Sequence, residues 1–132
     1  MLANESQFCR MKNMLSLIAF LGLLAVIFGA FGAHSLKEKL GPEDIKSFET
    51  GVRYMMYHTI VLLIVNTYAG IIDKNKKIIT YLFLIGILLF SGSIFAITAG
   101  GVSAKYIWFI TPLGGLFFIF GWLKLGLSFL KK

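Results

Sequence analysis

Apolar positions run almost without interruption through four stretches of this chain, about residues 14–33, 53–72, 78–99 and 106–130. Each is long enough for a helix to cross a bilayer, which takes about 20 predominantly apolar residues. The polar exception lies between His34 and His58 (HSLKEKLGPEDIKSFETGVRYMMYH), which holds both histidines, Arg53 and all but two of the acidic residues. The pattern predicts an all-α integral membrane protein, one four-span domain folded as an antiparallel four-helix bundle. A short amphipathic helical connection is expected between spans one and two. The other connections, DKNKK (73–77) and GGVSAK (100–105), are short, and short loops join neighbouring antiparallel helices.

Local signals refine these spans. Gly41 suits a helix stop and Pro42 the first position of the next helix. Glu43 and Asp44 then fall in a first turn, where negative charge complements the helix dipole. From Pro42 a helix can run through Glu49 and Arg53, an i,i+4 pair on one face. Leu40, Ile45, Phe48 and Val52 supply the apolar stripe of this lead-in. Arg10 and Lys12 ahead of an apolar run mimic a signal peptide, but the run exceeds the roughly 7–15 residues of a cleaved apolar core, so a retained span is expected. Tyr54, Tyr57, Tyr68, Tyr81, Tyr106, Trp108 and Trp122 crowd the span ends as an interfacial belt, with a deeper position open for Trp122.

Composition agrees with the pattern. The chain of 132 residues is 58% hydrophobic and 14% charged, with mean hydropathy +0.83; a soluble domain carries about 25% charge. The net charge of +7 does not point to nucleic acid, because the lysines gather at the ends of apolar runs, where they meet lipid headgroups. Arg10, Lys12, Lys74, Lys76, Lys77, Lys131 and Lys132 fall on one side, against Lys37, Lys39, Lys46, Arg53 and Lys105 on the other, which places both termini in the cytoplasm. Lys124 can snorkel toward the C-terminal side. Cys9 is the only cysteine, so no intramolecular disulfide forms.

Polar groups inside lipid are costly and face a bundle interior or a cavity. His58 lies five residues past Arg53, about 7–8 Å below the interface, and Ser93 lies roughly 9 Å from the end of span three. Thr111 and Pro112 sit at a similar depth in span four, and His34 closes span one. The candidate polar site is therefore His34, Glu49, Arg53, Tyr54, His58, Ser91, Ser93, Thr111 and Pro112, with Glu49 or Arg53 within reach of a histidine. Pro112 frees the carbonyl of Trp108 as a further acceptor. Each residue also has a plain reading: a structural histidine, serines bonded to their own helix, an arginine anchored to phosphate. Two histidines are too few for zinc, which takes four ligands, and not spaced for one helix face, so no cofactor is expected, whether metal or haem at His34 and His58. No nucleophile motif or phosphate loop is present. Gly29, Gly32, Gly114, Gly115 and Gly121 mark close helix packing, within the chain or in a homo-oligomer.

Four ordered motifs, GAFGAH (29–34), FETGVRYMMYH (48–58), FSGSIFA (90–96) and TPLGG with GW (111–115 and 121–122), resemble the bacterial inner-membrane family typified by YgdD and YwdK, domain of unknown function 423, related to mitochondrial transmembrane protein 256. The resemblance runs from about Met14 to the C-terminus, which leaves Met11 or Met14 open as the natural start. It implies four membrane helices in the bacterial inner membrane and carries over no catalytic or binding role. The leading expectation is a non-enzymatic membrane module that binds a lipid, a quinone or a membrane protein partner at the polar cluster in its outer half. The alternatives are an oligomeric small-solute transporter or channel and a membrane enzyme with a histidine base.

Overall fold

A computed structural model describes residues 2–130 of the chain. It is 87% helix, with no strand among the described residues. The elements are α1 (Leu2–Phe31), a π-helical turn (Gly32–Leu36), α2 (Pro42–Thr67), α3 (Asp73–Thr98), the single turn α4 (Ala104–Ile107) and α5 (Ile110–Leu130).

Sequence chemistry explains the boundaries. Backbone N–H groups of Lys39 and Leu40 both close on the Leu36 carbonyl. Gly41 is extended and Pro42 opens α2, its missing N–H being one that a first turn leaves unpaired anyway. The helix stops at Thr67, earlier than the apolar run does, because Tyr68 turns extended ahead of Ala69–Gly70. DKNKK is not the loop expected between spans two and three. It forms the first turn of α3, where Asp73 complements the dipole and accepts a 2.7 Å hydrogen bond from the Gln7 side chain of α1. Gly101 ends the α3 connection in the left-handed region (φ +71°), which a side chain resists. The break between α4 and α5 falls at Trp108–Phe109, where Pro112, in the first turn of α5, has no N–H to return to the Trp108 carbonyl.

Three helical segments are long and apolar enough to cross a bilayer: Glu5–Leu36, Asp73–Thr98 and Ile110–Leu130. Helix α2 has the length, at 26 residues, but carries Arg53, His58 and Asn66 along it. Its place in the fold accommodates them. α1 packs on α2, α2 on α3, and α3 on α5, so α2 buries Phe48, Met55, His58, Thr59, Leu62 and Val65 between two neighbours. Ile18, Ala25, Ile79, Phe83, Ile87 and Phe118 complete the core. Phe20, Val26, Leu88, Ile119 and Leu123 point outward, a surface that suits lipid and that water would penalise.

Glycines set the helix spacing, since close approach in lipid depends on small side chains. A Cβ on Gly32 would stand 2.9 Å from the Phe48 ring, and one on Gly121 2.6 Å from Phe83. Gly114 lies directly on the backbone of Phe90, and Gly86 faces Phe118 and Gly51 faces Phe95. Gly29 is looser, with Val52 at 3.5 Å, and Gly115 looser still, with Phe90 at 3.9 Å. These contacts fix the register: Gly32 is level with Phe48, Gly29 with Val52, and Gly22 with Thr59.

Candidate functional site

The residues expected to converge fall into separate tiers. At one end of the bundle, Ser93 and Thr111 share a 2.6 Å hydrogen bond between α3 and α5. Beside it, the Ser91 hydroxyl donates to the Gly51 carbonyl at 2.6 Å. That carbonyl belongs to α2, so the two bonds tie α3 to both of its neighbours at one level. The next tier is aromatic: Tyr54 stacks on Phe90 with ring centroids 4.7 Å apart.

His58 lies seven residues past Gly51, about 10 Å further along α2 at 1.5 Å per residue. Its ring lies parallel to Phe118 at a centroid distance of 3.6 Å, with Phe83 at 5.2 Å. The Trp122 indole N–H donates to His58 Nε2 at 3.2 Å. An indole can only donate, so Nε2 carries the lone pair and Nδ1 the proton. Nδ1–H then donates to the Tyr54 carbonyl at 2.7 Å. Both nitrogens of a neutral imidazole are thus in use, and His58 is buried. A last tier sits beyond it, where Asn66 donates to the Thr80 hydroxyl at 3.0 Å and to the Leu62 carbonyl. No buried side-chain nitrogen or oxygen among the described residues lacks a partner.

His34 and Arg53 stand apart from these tiers. His34 is exposed on the π-helical turn. The α1–α2 register sets it level with Lys46, twelve residues and about 18 Å from His58, so the two imidazoles do not share a depth. Among the described residues, no group of three His, Cys, Asp or Glu side chains comes together. Arg53 turns back along α2: its Nε–H donates to the Glu49 carbonyl at 3.4 Å, and Nη2 lies 3.9 Å from Glu49 Oε2. Neither reaches a histidine. Pro112 is exposed beside Thr111. Lys131 and Lys132, counted in the charge asymmetry, lie outside the described residues.

The structure also brings in residues that pattern reading did not assign. Trp122, placed in the belt, supplies the partner of His58 from 64 positions away; Phe118 and Phe83 enclose the same ring. The available signal was the depth of Trp122, sixteen residues into the last apolar run and eight from its end, which sets it apart from the belt without naming its partner.

A groove of about 220 Å³ lies between α1 and α2, lined by Gly29, Gly32, Phe48, Glu49, Val52 and Arg53. Its floor is apolar, made by Gly29, Val52 and the Phe48 ring that packs on Gly32. Its rim is the Glu49–Arg53 pair, whose side chains are 55% and 56% exposed.

The model of the family "Protein of unknown function (DUF423)" matches residues 28–115, which includes the groove and the tier residues other than Phe118 and Trp122. Among curated proteins, a UPF0382 membrane protein of Haemophilus influenzae is 41% identical over 123 residues, covering 92% of this chain and 98% of its own. A UPF0382 membrane protein of Staphylococcus epidermidis is 37% identical over 121 residues, with the same coverage. UPF0382 membrane protein YwdK of Bacillus subtilis is 37% identical over 123 residues, again covering 92% and 98%. No solved structure matches the chain.

Proposed function

We propose that this chain, which belongs to the DUF423 family of proteins of unknown function, is a non-enzymatic membrane module that holds a lipid in the groove between α1 and α2. In this reading α2 crosses the membrane with the three more apolar helices, His58 shielded by α5 and Asn66 matched by α3, and the groove opens at the outer end with both termini in the cytoplasm. The observation that carries the reading is the groove itself, with an apolar floor at Gly29, Gly32 and Val52 and a charged rim at Glu49 and Arg53. The rim sits where the apolar run of α1 gives way to His34 and where that of α2 begins, so the polarity follows that of a lipid at the interface.

The polar tiers favour this location over the bundle interior. A ligand there would have to displace hydrogen bonds that are already made, at roughly 1–3 kcal/mol for each group left unpaired. A histidine base needs a free lone pair, and that of His58 faces Trp122. A pore formed between copies rests on free glycine faces, but Gly32, Gly114 and Gly121 are spent on Phe48, Phe90 and Phe83 of the same chain.

Native mass spectrometry from mild detergent tests the reading. The wild-type chain is expected to retain a lipid through activation that strips the detergent, and Gly29→Leu and Val52→Trp, which fill the groove, to lose it. Gly29→Ala is the control, since its methyl group meets Val52 at ordinary contact distance. Equal retention by all four proteins counts against a lipid in the groove.

A further inference from the structure

Resting on that reading of the groove, we infer that its occupant is a phospholipid with a primary ammonium on its headgroup, the phosphate held by Arg53 and the ammonium by Glu49. Glu49 and Arg53 present a carboxylate and a guanidinium side by side at the rim: their backbones are one helical turn apart, but the guanidinium reaches back until Nη2 lies 3.9 Å from Glu49 Oε2. A phospholipid with an ammonium headgroup carries the two matching charges, its phosphate next to the glycerol and its amine at the far end of the headgroup. Seated with its acyl chains toward Gly29 and Val52, such a lipid brings its phosphate and its amine to a rim that holds both opposite charges.

The side chains are placed for this. The Arg53 guanidinium reaches back toward Glu49 rather than into the apolar floor, snorkelling toward the interface. At 3.9 Å the Arg53–Glu49 contact is long for a charge-assisted hydrogen bond, which runs at about 2.7–2.9 Å. Each side chain is more than half exposed, so each can accept an outside partner without unburying. A planar guanidinium suits phosphate oxygens, and a carboxylate suits the N–H donors of a primary ammonium, which a trimethylated amine lacks. Residues 34–53 do not favour a purely anionic headgroup either: Lys37, Lys39, Lys46 and Arg53 are balanced by Glu38, Glu43, Asp44 and Glu49.

The test is a competition on the full-length chain in nanodiscs of equal parts phosphatidylethanolamine, phosphatidylcholine and phosphatidylglycerol with the same acyl chains, read by native mass spectrometry of the protein-bound lipid. The ethanolamine lipid is expected to be enriched over each of the others by about two- to fivefold, the range an exposed ion pair gives. Glu49→Gln should bring that ratio near one with total lipid retained, and Arg53→Gln should lower retention of all three classes. Both sites are exposed, so neither substitution threatens the fold. A wild-type ratio at or below one, or a ratio that Glu49→Gln leaves unchanged, overturns the headgroup assignment while the lipid groove stands. Loss of all lipid selectivity together with equal retention by Val52→Trp overturns the groove itself.

Discussion

His58 uses both of its ring nitrogens inside the chain, and that decides how it behaves as a residue. With Nδ1–H on the Tyr54 carbonyl and Nε2 facing the Trp122 N–H, the imidazole serves as a clasp between α2 and α5. Trp122→Phe keeps most of the aromatic contact and removes only the donor, leaving a buried acceptor unmatched. The expected loss is about 1–2 kcal/mol, read as a lower unfolding midpoint in a denaturing-detergent titration. His58→Ala also removes the stack on Phe118 and leaves a void, so it should cost about 2–4 kcal/mol, in the range of large-to-small core substitutions. Ser93→Ala breaks the bond to Thr111 and the one the hydroxyl donates to the Phe90 carbonyl of its own helix, and should cost about 0.6–2 kcal/mol, since interhelical hydrogen bonds in membranes are modest. The hydroxyls, the histidine and the glycines were legible as residues apart from the surface. The pairing of His58 with Trp122 was not, because the two are separated by a whole helix and lie on helices with no shared repeat.

At the scale of the element, helix spacing is set by which glycines meet something that cannot move. Gly114 and Gly115 are neighbours in sequence and read alike there. In the fold Gly114 lies on the backbone of Phe90, whereas a Cβ on Gly115 would meet the Phe90 ring at an ordinary contact distance of 3.9 Å. Gly114→Ala should therefore push α5 off α3, with a loss of about 1–3 kcal/mol or more, while Gly115→Ala should stay within about 0.5 kcal/mol of wild type. The same titration on the two variants separates them. Element boundaries were legible where one residue commands the backbone, as at Gly41–Pro42. They were missed where two signals compete. DKNKK looks like a loop by charge, but Asp73 at the head of a helix and lysines free to point outward make it an equally good first turn.

At the scale of the whole molecule, the most polar long helix, α2, packs between α1 and α3 and also meets α5 through side chains, His58 lying on Phe118 and Trp122. That packing explains how α2 carries Arg53, His58 and Asn66 in an otherwise apolar protein: His58 and Asn66 are matched within the core, and Arg53 reaches back toward Glu49. Membrane character and helical class were legible from the apolar runs alone. The grouping of the polar residues was not, because depth along each span fixes level but not azimuth. His34 and His58 seemed comparable in depth only until the α1–α2 register was known. The groove beside Gly29 is open to the outside, and a lipid seated there is the central claim. A phospholipid with a photoreactive acyl chain, incorporated beside the full-length chain in nanodiscs and crosslinked by light, tests it most directly. The account predicts that labelled peptides concentrate on residues 28–32 and 48–53, and that Val52→Trp abolishes that labelling. Crosslinks spread evenly over the outward faces of α1 and α5, unchanged by Val52→Trp, would contradict it.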